Sequence, residues 1–305
     1  MKAALAFDTS NYTTSCAVFD GESGRNAGRL LHVEPGKLGL RQSEALFAHV
    51  RQLPGVFSEL KHEGEVLAVG ASVKPRETED SYMPCFLAGA SQGRVLAQAL
   101  GVPFCAFSHQ QGHIAAAAWS SGCMELLDTP HLAWQISGGT TELLLVRPQG
   151  AAVACDIIGA TTDVSAGQLI DRTGQLLGLS FPSGKELDAL SKQSESDACY
   201  KPKLDGLYFS LSGVEHKVKQ LFESGAQPAD VAAFALRSLV SVFRRVTERA
   251  MEKYGDMPVL FSGGVASNSM IRQAMAGALF AEPEYSTDNA LGVAILTYRA
   301  VTMGG

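Results

Sequence analysis

At 305 residues the chain is longer than one hydrophobic core comfortably organises, because domains usually run to about 100–200 residues, so two lobes with a cleft between them are expected. A composition of 46% hydrophobic and 18% charged residues excludes a disordered or fibrous chain. The net charge of −6 excludes a protein that grips nucleic acid unaided, since phosphate neutralisation by Lys and Arg supplies most of that affinity, and an RNA substrate would need a local basic patch or a partner.

No apolar run reaches the roughly 18–20 residues that span a bilayer, and the start MKAALAFDTS meets an acid too early for a secretory signal, so a cytoplasmic location is expected. The cysteines Cys16, Cys85, Cys105, Cys123, Cys155 and Cys199 form no Cys-x-x-Cys pair and read as buried or free thiols.

Residues 2–19 are two strand-like runs around the polar turn Asp8-Thr9-Ser10-Asn11, which predicts a hairpin. The charged, proline-containing stretch 74–80 is a surface loop after the strand LAVGASV, and residues 86–100 have the length and periodicity of a helix. Residues 131–146 repeat the plan of the first hairpin around Ser137-Gly138-Gly139-Thr140-Thr141, which suggests a duplicated fold. Residues 164–177 form an amphipathic helix candidate, 191–205 a polar loop, and 231–254 a long helix. In 258–274 a short buried strand stops at Gly263-Gly264 and a helix begins near Ser267 or Asn268. The class is α/β.

The sharpest local feature is His109-Gln110-Gln111-Gly112-His113, whose four-residue spacing puts both imidazoles on one face of a helix, able to chelate one ion. An isolated pair at this spacing also arises by chance on a helix that it merely lines. A zinc protease of the His-Glu-x-x-His kind is disfavoured, because Gln110 stands where the glutamate base would be. An open catalytic site needs a third ligand, and the best candidate is Asp288, in a polar turn before the last helix. Two histidines and a carboxylate suit one divalent ion, Fe(II) first and Zn(II) second. The glycine turns at Ser137–Thr140 and Gly263-Gly264, with the first turn at Asp8, Thr9, Ser10 and Asn11, admit a phosphate, although glycines in tight turns are common for steric reasons alone.

The succession of an acidic strand-turn, a second hairpin with Gly-Gly-Thr and a late Gly-Gly turn before a helix resembles the actin-like ATPase superfamily, which implies a two-lobed fold with a duplicated mixed sheet and ATP bound between the lobes. Within it the chain resembles the TsaD family, also called the glycoprotease family. The resemblance rests on DTSNYTTSCAVFD from Asp8, SHQQGHIAAA from Ser108, ISGGTTEL from Ile136, DVSAGQLIDRTGQLLGLSFPSGKELDAL from Asp163, FSLSGVEHKV from Phe209, FSGGVASN from Phe261 and STDNA from Ser286. It implies a first lobe over 1–112, completed by 284–305, and a second over 113–283.

That resemblance puts His109, His113 and Asp288 on the metal positions, and ligand contacts at Ser137, Gly138, Gly139, Asp171, Gly184, Asp188 and Asn268. Family members transfer a threonylcarbamoyl group from its adenylate to N6 of an adenosine in tRNA. The chemistry asks chiefly for orientation and charge stabilisation, so backbone donors from Ser137 to Thr140 are expected to matter more than a general base. ATP or an acyl-adenylate is the implied ligand, and tRNA is the implied acceptor, reached with partner proteins or as a homodimer. The other readings are an ATPase or kinase of the same superfamily, which leaves the histidines unexplained, a non-catalytic scaffold, against which the intact trio argues, and a metalloprotease, ranked last.

The chain departs from the family pattern at Thr140, usually histidine, in the first turn, which lacks the usual acids, at Val164 and Gln168, usually acidic, and over 74–80, usually glycine-rich. These changes flank the ligand rather than the metal and mark a divergent paralogue.

Overall fold

Strand β1 (Lys2–Asp8) is buried at every position after Lys2, the pattern of a strand covered on both faces. It pairs antiparallel with β2 (Thr13–Phe19), which pairs antiparallel with β3 (Gly24–Leu30), so the hairpin expected over 2–19 gains a third strand. The computed structural model describes residues 2–10, 12–33, 40–61, 64–78 and 81–303. Helix α1 (Gln42–Glu59) buries Ala45, His49, Leu53 and Val56 at helical spacing. Strand β4 (Glu65–Lys74) then pairs parallel with β1. Of the charged loop over 74–80, Lys74 pairs with Glu77, while Glu79 and Asp80 lie outside the described residues. Helix α2 (Leu87–Leu100), entered through a 3-10 turn at Pro84–Phe86, leads to β5 (Phe104–Ser108), parallel to β4. The first sheet thus runs β3-β2-β1-β4-β5, and α3 (His109–Ser120) starts directly from its edge strand.

The second sheet opens on the antiparallel pair β6 (His131–Ile136) and β7 (Thr141–Gln149), followed by β8 (Ala152–Ala160). Helix α4 (Ala166–Leu176) matches the amphipathic stretch, and α5 (Gly184–Ser191) follows it as a helix outside the elements expected from the sequence. The loop expected over 191–205 ends in a two-residue ladder, β9 (Leu204–Asp205) with β10 (Tyr208–Phe209). Helices α6 (Ser212–Glu223) and α7 (Pro228–Tyr254) precede β11 (Val259–Ser262), which pairs parallel with β6. After α8 (Ser269–Ala274), β12 (Leu279–Phe280) pairs parallel with β11. The order β12-β11-β6-β7-β8 repeats the plan of the first sheet: a hairpin with a third strand outside it and two parallel strands on the other side. Trp134, Phe243 and Phe261 fill this half's core, where the Trp134 indole N–H donates to Thr247 Oγ1 at 2.9 Å, so no polar group is stranded there by the large ring.

The last helix, α9 (Leu291–Thr302), is buried from Leu291 to Thr297 and packs on α3, β1 and β4. The chain therefore forms two compact units, one of Met1–Thr129, Arg147–Cys155 and Tyr285–Gly305, the other of Pro130–Val146 and Asp156–Glu284. The boundary expected between 112 and 113 falls inside α3, and the first unit keeps that helix whole, because its buried alanine face and α9 belong to one packing layer. Among the described residues no helix is long and apolar enough to cross a membrane.

Candidate metal centre and candidate nucleotide site

The metal candidates belong to the first unit. Ser108 ends β5 and caps α3: its Oγ accepts from the Gln111 amide at 3.3 Å, and Gln111 Oε1 accepts from the Ser108 amide at 2.9 Å. This reciprocal cap fixes the first turn of the helix, so His109 and His113 stand one turn apart on one face. Gln111 is further held by donating to the Val153 carbonyl at 2.7 Å. The two Nε2 atoms lie 2.9 Å apart, and Asp288 Oδ1 lies 3.4 Å from that of His109 and 3.5 Å from that of His113. One donor atom from each of the three residues thus falls within 4.8 Å of the others.

The turn that presents Asp288 is built by its neighbour. Asn289 Nδ2 donates to the carbonyls of Tyr285 at 3.1 Å and Thr287 at 2.7 Å, while its Oδ1 accepts from the Leu291 amide, the first of α9, at 3.0 Å. From β3, Asn26 Oδ1 accepts from the Ala290 amide at 3.0 Å. Neither asparagine is singled out by the sequence, although an asparagine just before an apolar helical run is a capping signal.

Asp8 ends β1 and is 1% exposed, with Oδ2 2.8 Å from His109 Nδ1 and Oδ1 accepting from the Ser10 amide at 2.8 Å. Burial opposes a charge on each of these groups, but the ion pairing outweighs it. The Asp8 carboxyl is held below the carboxylate range by His109, and Asp288 is held well below it by hydrogen bonds from both histidines. His109, flanked by both carboxylates, is raised to about 10.

The first turn is thus committed differently from a phosphate cradle. Asp8 faces His109, and Thr9 Oγ1 donates to the Cys85 carbonyl at 2.9 Å and accepts from the Gly89 amide at 3.1 Å, tying the turn to the start of α2. Thr9 and Ser10 are buried, and Asn11 lies outside the described residues.

The expected nucleotide contacts fall in the second unit, joined by short bonds. Between β6 and β7, the Ser137 amide donates to the Thr140 carbonyl at 2.8 Å, and the amides of Gly139 and Thr140 point at Ser137 Oγ at 3.3 and 3.1 Å. Three of the four amides from Ser137 to Thr140 are therefore engaged within the loop, which leaves only that of Gly138 outside these bonds as an anion donor. This corrects the expectation of a full row of backbone donors: the serine hydroxyl competes for them at short range. Ser165 Oγ donates to the Gly138 carbonyl at 2.6 Å, and the Gly167 amide to the Ser137 carbonyl at 3.2 Å, anchoring the loop on α4. Gln168, one of the departures, completes a capping box with Ser165, a role that needs no charge.

Asp171 Oδ1 accepts from the Ser183 amide at 2.9 Å and so pins the turn before Gly184, where an added Cβ would meet Ile170 Cγ2 at an ordinary contact distance of 3.9 Å. Asp188 accepts from Ser269 Oγ at 2.9 Å and pairs with Lys192 at 3.4 Å. Beside them is a cavity of about 450 Å³ lined in part by Lys192, Arg237, Ser269 and Met270. Gly263 turns directly beneath the Ile136 carbonyl with φ +94°, Gly264 faces open space, and Asn268 Oδ1 caps α8 by accepting from the Ile271 amide at 3.1 Å.

Two five-stranded mixed sheets of the same plan, flanked by helices, define the actin-like ATPase fold. The chain is similar to component A of the (R)-2-hydroxyglutaryl-CoA dehydratase of Acidaminococcus fermentans, at 16% identity and a TM-score of 0.57, over 99% of each chain. It is similar to HypF of T. kodakarensis at 16% identity and a TM-score of 0.59, over 99% of this chain and 48% of that one. With the ROK hexokinase of Thermus thermophilus it shares 13% identity and a TM-score of 0.52, over 99% and 100% of the two chains. At these identities the likeness is one of fold. The chain belongs to the TsaD family, described as tRNA N6-adenosine threonylcarbamoyltransferase, which it matches over residues 82–295. The matched segment contains His109, His113 and Asp288 and excludes Asp8.

Proposed function

We propose that this protein transfers a threonylcarbamoyl group from its adenylate to N6 of an adenosine in tRNA, using one divalent metal ion. The observation that carries the reading is the convergence of His109 Nε2, His113 Nε2 and Asp288 Oδ1 in a chain of this family. Two imidazole nitrogens 2.9 Å apart, which share a hydrogen in the metal-free protein, form with the adjoining carboxylate a donor set that suits one divalent ion, Fe(II) first and Zn(II) second. Such an ion would polarise the activated carbonyl or hold the polar groups of threonine.

The chain's own residues supply orientation. Asp171 Oδ2 takes no part in the bond to Ser183 and suits a ribose hydroxyl, while the open face at Gly264 and the lightly bounded one at Gly184 admit a flat base or sugar against the backbone. ATP or the acyl-adenylate is the ligand this arrangement suits. With a net charge of −6, engagement of tRNA falls to partner proteins or a second copy of the chain, in the cytoplasm.

The test supplies purified protein with threonylcarbamoyl-adenylate, tRNA, Fe(II) and candidate partner proteins, and measures modified adenosine by nucleoside mass spectrometry. Product is expected from the native chain and none from His113→Ala or Asp288→Ala. No product from the native chain, or undiminished product from both variants, refutes the reading.

A further inference from the structure

We propose that Asp8 is the positioning residue of the metal centre: from the first strand it fixes the tautomer of His109 so that the Nε2 lone pair faces His113 and Asp288. The inference rests on the metal reading above and goes beyond it, because Asp8 is not a ligand and lies outside the segment matched by the family.

The argument is one of donors and acceptors. Asp8 Oδ1 accepts the Ser10 amide at 2.8 Å, and Oδ2 stands 2.8 Å from His109 Nδ1. A carboxylate only accepts, so the hydrogen of a neutral His109 must sit on Nδ1, which leaves the lone pair on Nε2. That nitrogen is the one 2.9 Å from His113 Nε2 and 3.4 Å from Asp288 Oδ1. Partners of this kind orient metal-binding imidazoles and raise their basicity, and their loss typically lowers metal affinity 10–100-fold. Asp8 is 1% exposed at the end of a buried strand, so its carboxylate has one orientation rather than several. The turn after it holds no alternative acid, since Thr9 and Ser10 are neutral and buried.

Asp8→Asn separates positioning from packing, because the two side chains have nearly the same shape. The Ser10 amide still needs an acceptor, so the new amide oxygen stays on that side and the NH₂ points at His109 Nδ1. The ring is then driven to carry its hydrogen on Nε2, where a metal would bind.

The experiment compares native protein and Asp8→Asn for binding of Zn(II) alone, by competition with a chromophoric chelator, with ¹⁵N NMR of the labelled imidazoles as a second readout. The expected result is a folded variant whose Zn(II) affinity falls about 10–100-fold, while the Zn(II)-loaded native protein carries its His109 hydrogen on Nδ1. A folded variant with native affinity overturns the proposal and leaves the metal reading standing. Failure of the native chain to bind Zn(II) or Fe(II) instead defeats the metal reading, and this inference with it. Should the variant not fold, the Zn(II)-loaded native protein decides: a hydrogen on His109 Nδ1 supports the proposal, and one on Nε2 overturns it.

Discussion

Gly292→Ala is a one-carbon change that should damage both the stability of the first unit and its metal centre. A Cβ at this first-turn position of α9 would be driven onto the carbonyl oxygen of Gly112 in α3, and would lie 2.6 Å from the carbonyl carbon and 2.9 Å from the Ala116 amide nitrogen. Ordinary contact between carbons is about 3.5–4.0 Å, so α9 has to retreat by on the order of 1 Å. Alanine is the better helix former by about 1 kcal/mol, but overpacking a close contact typically costs 1–3 kcal/mol, and here the obstacle is backbone that cannot rotate away. A net loss of about 2 kcal/mol is expected.

The same displacement matters more at the site. Asp288 sits four residues before Gly292, whereas both histidines ride on α3, and metal–ligand distances tolerate only about 0.2 Å. Zn(II) affinity is therefore expected to fall at least about tenfold, or 1.4 kcal/mol. Urea unfolding in the presence of chelator measures the first effect and Zn(II) competition the second. A variant as stable as the native protein, binding Zn(II) equally well, would show that the approach of α3 and α9 does not set the site.

Three further outcomes are expected. In metal-free protein His109 is raised to about 10 from an ordinary 6.5, so its contribution to stability is fully present below about pH 6.5 and is lost as pH rises through about 10; urea midpoints from pH 6 to 10.5 should fall more steeply for the native chain than for His109→Gln, and parallel curves would contradict this. Asp163, held near 2 chiefly by hydrogen bonds from Ser210 and Ser212 against the push of burial, also receives the Leu211 amide at 2.8 Å and opens α6; Asp163→Ala should cost about 0.5–2 kcal/mol in the manner of a lost cap, read as a lower urea midpoint. Gly167→Ala would bring a Cβ within 2.6 Å of Gly138 Cα and push the loop off α4; binding of ATP, followed by calorimetry, should weaken severalfold, and unchanged binding would remove that loop from the ligand site.

The two hairpins, the helices near 86–100, 164–177 and 231–254 and the late strand-turn-helix were legible because their apolar residues keep one period between clear turn residues. Helix α1 was not. Pro54 lies inside it, and Phe47, Val50 and Phe57 are exposed beside the buried Leu53 and Val56, which blurs the apolar stripe. The histidine pair could be found because both ligands sit on one helix, and Asp288 because it stands in a polar turn before another. Asp8 could not be tied to His109: the partners are 101 positions apart, and a lone acid at the end of a buried strand carries no sign of what it faces. The internal bonding of the Ser137 loop was also hidden, since the sequence marks a turn without saying where its amides point.

The first unit is discontinuous, and that has a bearing on chain entropy. His109 and His113 are neighbours on one helix, but Asp288 is separated from His113 by 175 positions, most of them in the second unit. Closing a flexible loop of that length costs about 4–5 kcal/mol in its length-dependent part alone. When the second unit folds around its own Trp134 core, the intervening chain is no longer flexible and most of that cost has already been met there. A substitution such as Phe243→Ala, which touches none of the three ligands, should therefore weaken metal binding by loosening the chain between them. Metal affinity in this protein is also a gauge of whether the inserted half is folded.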